Sequence, residues 1–239
     1  DAMLAALKAM PARSIVVLHA CCHNPTGVDL DAAQWDAIVA AVRERDLVAF
    51  LDMAYQGFGD GIEADALALH KFAGSGLDFF VSSSFSKSFS LYGERVGALS
   101  IVTADRDETA RVTSQVKRVI RTSYSSPPTH GAAVVAAVLS TPALRQLWEK
   151  ELAGMRDRIR RMREELVRKL RENGVDRDFS FVARQRGMFS YSGLNPAQVD
   201  RLRNEFAIYA VSTGRICLAA LNSRNIDAVA KAMAAVIRG

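Results

Sequence analysis

The chain is 239 residues long, 49% hydrophobic and 24% charged, with a formal net charge of +5. That balance, without an apolar run of membrane-spanning length, fits a globular chain able to bury a sizeable core and excludes a disordered, collagenous or helix-spanning membrane class. Three cysteines, two of them adjacent, exclude a disulfide framework, and basic text such as RDRIRRMREELVRKLREN (Arg156 to Asn173) interleaves glutamates as a solvated helix face does, which argues against a nucleic-acid surface.

In chain order, the opening DAMLAALKAMPARS reads as the end of a helix and carries no signal-peptide pattern, so a reduced, cytoplasmic setting is expected. A strand over 14–18 runs into the turn text HNPTG, His23 to Gly27, and a helix follows over 31–45. Next come a strand over 47–53, a helix over 62–73, and strands over 78–83 and 96–102. This alternation predicts an α/β fold with a mostly parallel sheet.

Helices are expected over 105–121 and 130–140. A long one begins after Pro142 and runs toward Asn173, with Leu144, Leu147, Leu152, Met155, Ile159, Met162, Leu166 and Leu170 at helical spacing. Short strands over 179–182, 188–191, 208–212 and 216–219, with helices from Pro196 and Asn225, predict a smaller α+β domain. The expected division is 1–150 and 151–239, with the boundary inside the long helix. No internal repeat or low-complexity stretch interrupts either part.

Three strand ends carry polar groups suited to chemistry. The first leads to Asn24, whose amide offers donors and an acceptor where α/β sheets bind ligands. The second ends in Asp52 after an apolar run, Leu47 to Leu51, that should be buried on both faces. A carboxylate there needs a cationic partner, and a protonated pyridine nitrogen is a good one. Tyr55 follows three residues later.

The third strand, through Phe79 to Val81, enters SSSFSKSFSLYGER, Ser82 to Arg95. Lys87 there is a candidate amine for covalent attachment of a carbonyl cofactor, with serines small enough to admit a flat ring. Ser84, Ser86 and Arg95 supply hydroxyls and a cation for a phosphate. Each segment alone has a plainer reading: Asn-Pro and Thr-Gly are ordinary turn formers, and a serine-rich stretch can be a polar loop.

Two other patterns point elsewhere and weaken on inspection. His19, Cys21, Cys22 and His23 are all potential metal ligands, but strand neighbours alternate faces and cannot all reach one ion, so no metal is expected. GFGDG, Gly57 to Gly61, follows a strand as a dinucleotide motif would, yet its spacing is GxGxG where the fingerprint requires GxGxxG. An NAD-linked oxidoreductase is the rival enzyme class.

Taken together, HNPTG, LDMAYQGFGDG, SFSKSFSLYGERVGAL, IRTSYSSPPTHGAAVV, RGMFSYSGL and STGRICLAALN resemble, in order and spacing, the pyridoxal-phosphate (PLP) aminotransferases of the aspartate and aromatic amino-acid type. The resemblance spans nearly the whole chain. It implies the fold of type I PLP transferases and a homodimer whose active sites are shared across the interface. The implied reaction is transamination of aromatic or dicarboxylic L-amino acids with 2-oxoglutarate.

Residue by residue, the resemblance implies that Lys87 binds the cofactor covalently and shuttles a substrate proton. Asp52 then keeps the pyridine nitrogen protonated, Asn24 and Tyr55 hydrogen-bond the ring's phenolic oxygen, and Ser84, Ser86 and Arg95 hold the phosphate. Arg215 matches the guanidinium that clamps the substrate α-carboxylate, with Asn24 beside it. Arg121 matches the arginine lent across the dimer to a distal carboxylate. Ser126, where aspartate-selective members often carry asparagine, leans toward the aromatic branch, with an aspartate-selective enzyme as the alternative.

The same resemblance implies that the chain is a C-terminal part, with about 150 residues of the large domain before it. Those would include the aromatic residue stacked on the ring and the rest of the phosphate cup. Such a piece is expected to expose apolar surface, bind PLP weakly and turn over little. A non-catalytic binding module is the reading from a different class, and survival of its output in Lys87→Ala would favour it.

Overall fold

The computed structural model describes Asp1–Gly239 and divides into two compact units. The first comprises Asp1–Cys21, Leu30–Gln56 and Ile62–Lys150; the second comprises Cys22–Asp29, Gly57–Gly61 and Glu151–Gly239.

In the first unit, strands β1 (Ile15–His19), β2 (Val48–Met53), β3 (Phe79–Ser84) and β4 (Gly97–Val102) form one sheet in that order. The first three are parallel and β4 pairs antiparallel with β3, so the sheet is mostly parallel as expected. Helix α1 (Ala2–Ala9) precedes β1, and α2 (Ala32–Glu44) and α3 (Leu67–Ala73) connect the three parallel strands. Helix α2 starts where it does because Asp31 and Gln34 form a reciprocal capping box that satisfies two of the otherwise orphaned N–H groups.

One face of this sheet is a close-packed core. Val16, Leu18, Ala49, Leu51, Phe79 and Val81 meet Trp35 and Ile38 of α2 and Phe72 of α3. Edge-on and tilted aromatic contacts, Trp35 to Phe72 at 6.4 Å and Phe72 to Phe79 at 5.5 Å, lock that layer.

The opposite face departs from expectation. Burial alternates along β1 and β2, and Ile15 and Val17 are 66% and 63% exposed. The run before Asp52 is therefore covered on one side only, because α1 to α3 all serve the other. Helix α4 (Arg106–Ser123) buries no residue completely. It borders an open apolar cleft of about 1260 Å³ with Phe80, Leu99, Ile101 and Val119 in its lining.

Helices α5 (His130–Ser140) and α6 (Pro142–Glu172) follow, and the division between units falls inside α6 at Lys150. The second unit pairs β5 (Phe189–Tyr191) antiparallel with β6 (Arg215–Cys217). Its core draws Ile159 and Leu166 from α6, Val199 and Leu202 from α8 (Pro196–Phe206), and Ala230 and Met233 from α9 (Ile226–Arg238). Helix α8 again begins at a capping box, Asn195 with Gln198, and has proline in its first turn.

Three short elements differ from the sequence reading. The segment expected as a strand over 179–182 is a single helical turn, α7 (Ser180–Arg184), entered through a local turn in which the Asp178 carboxylate accepts from the Ser180 N–H at 2.7 Å. The stretch 208–212 forms no strand: Ala207 turns the chain left-handed (φ 53°) and Tyr209 stands 79% exposed. Strand β6 stops at Cys217, where Leu218–Ala220 tightens into a 3₁₀ turn.

Candidate active site

In the first unit the site residues gather at the carboxyl ends of the parallel strands. Asp52 lies in register with His19 on one side and Ser82 on the other. Its Oδ2 stands 3.9 Å from His19 Nε2, both side chains being partly exposed. The strand end thus presents a carboxylate beside an imidazole.

Three residues on, Tyr55 is buried, and the Lys87 Nζ lies 4.7 Å from the centroid of its ring. Lys87 occupies a tight turn after β3, closed by Phe89 N–H to Phe85 O at 3.2 Å and Ser90 N–H to Lys87 O at 3.1 Å. Trp148 clamps that turn twice, stacking on Phe89 at 4.7 Å and donating its indole N–H to Ser88 O at 2.7 Å. A flexible side chain is thereby carried on a fixed backbone.

The hydroxyl run continues this edge. The Ser86 N–H donates to Ser84 Oγ at 3.3 Å, and Ser86 and Ser88 are buried polar residues. Arg95, exposed and with φ 52°, donates to Tyr92 O at 3.0 Å. Arg121 is likewise exposed, in the last turn of α4, where it donates to Ser125 Oγ.

The second unit holds the other two candidates in direct contact. Asn24 sits on the loop 22–29, which the Asp29 carboxylate pins by accepting from the Cys22 and His23 N–H groups at 2.7 and 2.8 Å. Gly27 has φ 71°, and a Cβ there would lie 2.5 Å from Phe189 O, so only glycine permits this approach. The Arg186 N–H then donates to Gly27 O at 2.8 Å.

Arg215, at the start of β6 and paired with Tyr191, donates from Nη1 to Asn24 Oδ1 at 3.1 Å. Its guanidinium carbon lies 4.8 Å from the centroid of the Phe189 ring. A planar fork stacked on an aromatic face, with one N–H engaged by an amide, is oriented to receive a carboxylate through the rest.

Two contributors escaped the sequence reading. His19, weighed there only as a metal ligand, is the neighbour of Asp52, as its register position in a parallel pair could have indicated. Phe189, the platform under Arg215, lay within RGMFSYSGL but was given no role of its own.

The sequence matches the family model for class I and II aminotransferases over residues 1–233. The chain belongs to that family. Among its relatives, an aspartate aminotransferase of Pseudomonas aeruginosa is 67% identical over 98% of this chain, and an aromatic-amino-acid aminotransferase of Escherichia coli is 55% identical over 98%. The crystal structure of the aromatic-amino-acid aminotransferase of Burkholderia pseudomallei, covalently bound to pyridoxal phosphate, superposes with a TM-score of 0.98 at 68% identity, covering 99% of this chain. As an aminotransferase-family chain it spans 59% of the length of each of these proteins.

Proposed function

We propose that this chain carries most of the active-site residues of a PLP-dependent aminotransferase that acts on aromatic and dicarboxylic L-amino acids with 2-oxoglutarate as acceptor. The observation that carries the reading is the Lys87 amine held 4.7 Å over the Tyr55 ring, in the unit whose second strand carries Asp52 one residue before its end. The donor set suits PLP group by group: an amine for the aldehyde, a carboxylate for the pyridine nitrogen, a phenol for the ring oxygen, and Ser84, Ser86 and Arg95 for the phosphate.

Bound PLP would supply an electron sink that acidifies the substrate's α-proton. Lys87 would hold the cofactor covalently and, once displaced by substrate, move that proton between the α-carbon and the cofactor as general base and acid. Asp52 would keep the proton on the pyridine nitrogen. Tyr55 and Asn24 would donate to the phenolic oxygen, and Arg215 would take the α-carboxylate in a fork.

In the same reading, residues 1–150 form the later part of the large PLP-binding domain and 151–239 the small domain. The protein is a cytoplasmic homodimer, and Arg121 serves the distal carboxylate of a substrate in the neighbouring subunit. No helix is long and apolar enough to cross a membrane.

Aspartate selectivity is the second reading, favoured by the name of the 67% identical Pseudomonas relative. Transamination rates for tyrosine, phenylalanine and aspartate with 2-oxoglutarate and added PLP separate the two. Comparable kcat/KM for aromatic and acidic donors supports the broad enzyme, and activity confined to aspartate supports the selective one. Activity that persists in Lys87→Ala would refute both.

A further inference from the structure

Arg163 heads the fully buried side chains, at 2% exposure, and makes no ion pair. Burial pushes its guanidinium down to about 10, so retaining it in the interior costs stability that an apolar residue of similar size would not. Its compensation is a set of backbone acceptors. Nη1 donates to Val182 O at 3.0 Å and to Ser190 Oγ, while Nη2 donates to the carbonyls of Arg186, Gly187 and Phe189 at 3.1, 2.7 and 2.8 Å.

Those carbonyls belong to the segment that supports the Arg215–Asn24 pair from both sides. Phe189 is the ring beneath Arg215, and β5 is the strand against which β6 presents it. Arg186, through its N–H to Gly27 O, ties the same segment to the loop carrying Asn24. One planar cation therefore gathers the backbone of the platform and of the loop anchor. A lysine's point charge or a neutral amide cannot span that array.

We propose that Arg163 is a positioning residue for carboxylate recognition, holding Phe189 and the Asn24 loop in the arrangement that keeps the Arg215 fork open to a substrate carboxylate. The proposal rests on the reading of Arg215 as the carboxylate clamp. A misplacement of about 1 Å at such a clamp can cost on the order of 100-fold in binding or rate.

The test is calorimetric titration of the purified protein with succinate, a dicarboxylate that cannot be transaminated, alongside thermal unfolding. Arg163→Met is expected to weaken succinate binding by about tenfold or more in its folded fraction, with Arg163→Lys falling between it and the parent. Phe189→Leu should weaken binding similarly, and its effect should not add to that of Arg163→Lys. A folded Arg163→Lys that binds as the parent does overturns the proposal, and decides the matter even if Arg163→Met does not fold. Arg215→Ala provides the separate control: unaltered succinate affinity there would remove the clamp reading itself, whereas lost affinity there with parental affinity in both Arg163 variants removes only the positioning role.

Discussion

Arg215 donates to the amide oxygen of Asn24 at 3.1 Å, joining residues 191 positions apart in sequence. The contact fixes one edge of a guanidinium whose face already rests on Phe189, so the group is oriented before any ligand arrives. Arg215→Lys keeps the charge and loses the fork. KM for amino-acid donors should rise by about 100-fold, in line with the ~3 kcal/mol that hydrogen bonds to charged groups contribute. Asn24→Ala should cost about tenfold by the same reasoning. Steady-state kinetics across donors reads both, and an unchanged KM in Arg215→Lys would contradict the assigned role.

Asp52 is the penultimate residue of β2, and its carboxylate lies 3.9 Å from His19. Asp52→Asn preserves shape and removes the charge that would stabilise a protonated pyridine. Turnover should fall by about two orders of magnitude or more, the scale on which a single preorganised charge acts. His19→Ala should have a smaller effect on turnover, since it leaves that carboxylate in place. Equal rates for Asp52→Asn and the parent would sink the pyridine-partner assignment.

The sequence was informative about Lys87, Asp52 and Asn24 because each ends or follows an apolar strand, where a polar side chain stands out against its surroundings. It was misleading at 179–182, since the alternation of Phe179 to Val182 imitates a strand while the local contact, the Asp178 carboxylate accepting from the Ser180 N–H, turns the chain. It was silent about Arg163, whose charge within RDRIRRMREE imitates a solvated arginine although its position falls on the apolar stripe of α6 with Ile159, Leu166 and Leu170. Nor could strand text alone tell that β4 would return antiparallel or that Val17 would face solvent.

The core of the first unit rests on Phe72, which is fully buried between Trp35 and Phe79. Phe72→Ala removes most of a ring that its neighbours cannot replace. Urea unfolding should register a loss of about 3–5 kcal/mol. A change below about 1 kcal/mol would mean that the layer repacks freely.

The uncovered sheet face makes a prediction about solution behaviour. Val17 and Leu99 are 63% and 54% exposed on strands at opposite edges of the four-stranded sheet. The 239-residue chain alone should self-associate and bind a hydrophobic dye, and the pair Val17→Lys and Leu99→Lys should reduce both. Light scattering that shows a monodisperse monomer with no dye binding would contradict this.

The most direct test of the account is whether Lys87 takes up the cofactor covalently. The protein is mixed with PLP, its absorption spectrum recorded, and borohydride reduction followed by peptide mass mapping. A visible absorption band lost on reduction, with a pyridoxyl adduct at Lys87 and none in Lys87→Ala, is the predicted result. A folded protein that carries its adduct at other lysines and not at Lys87 would contradict the assignment of the site.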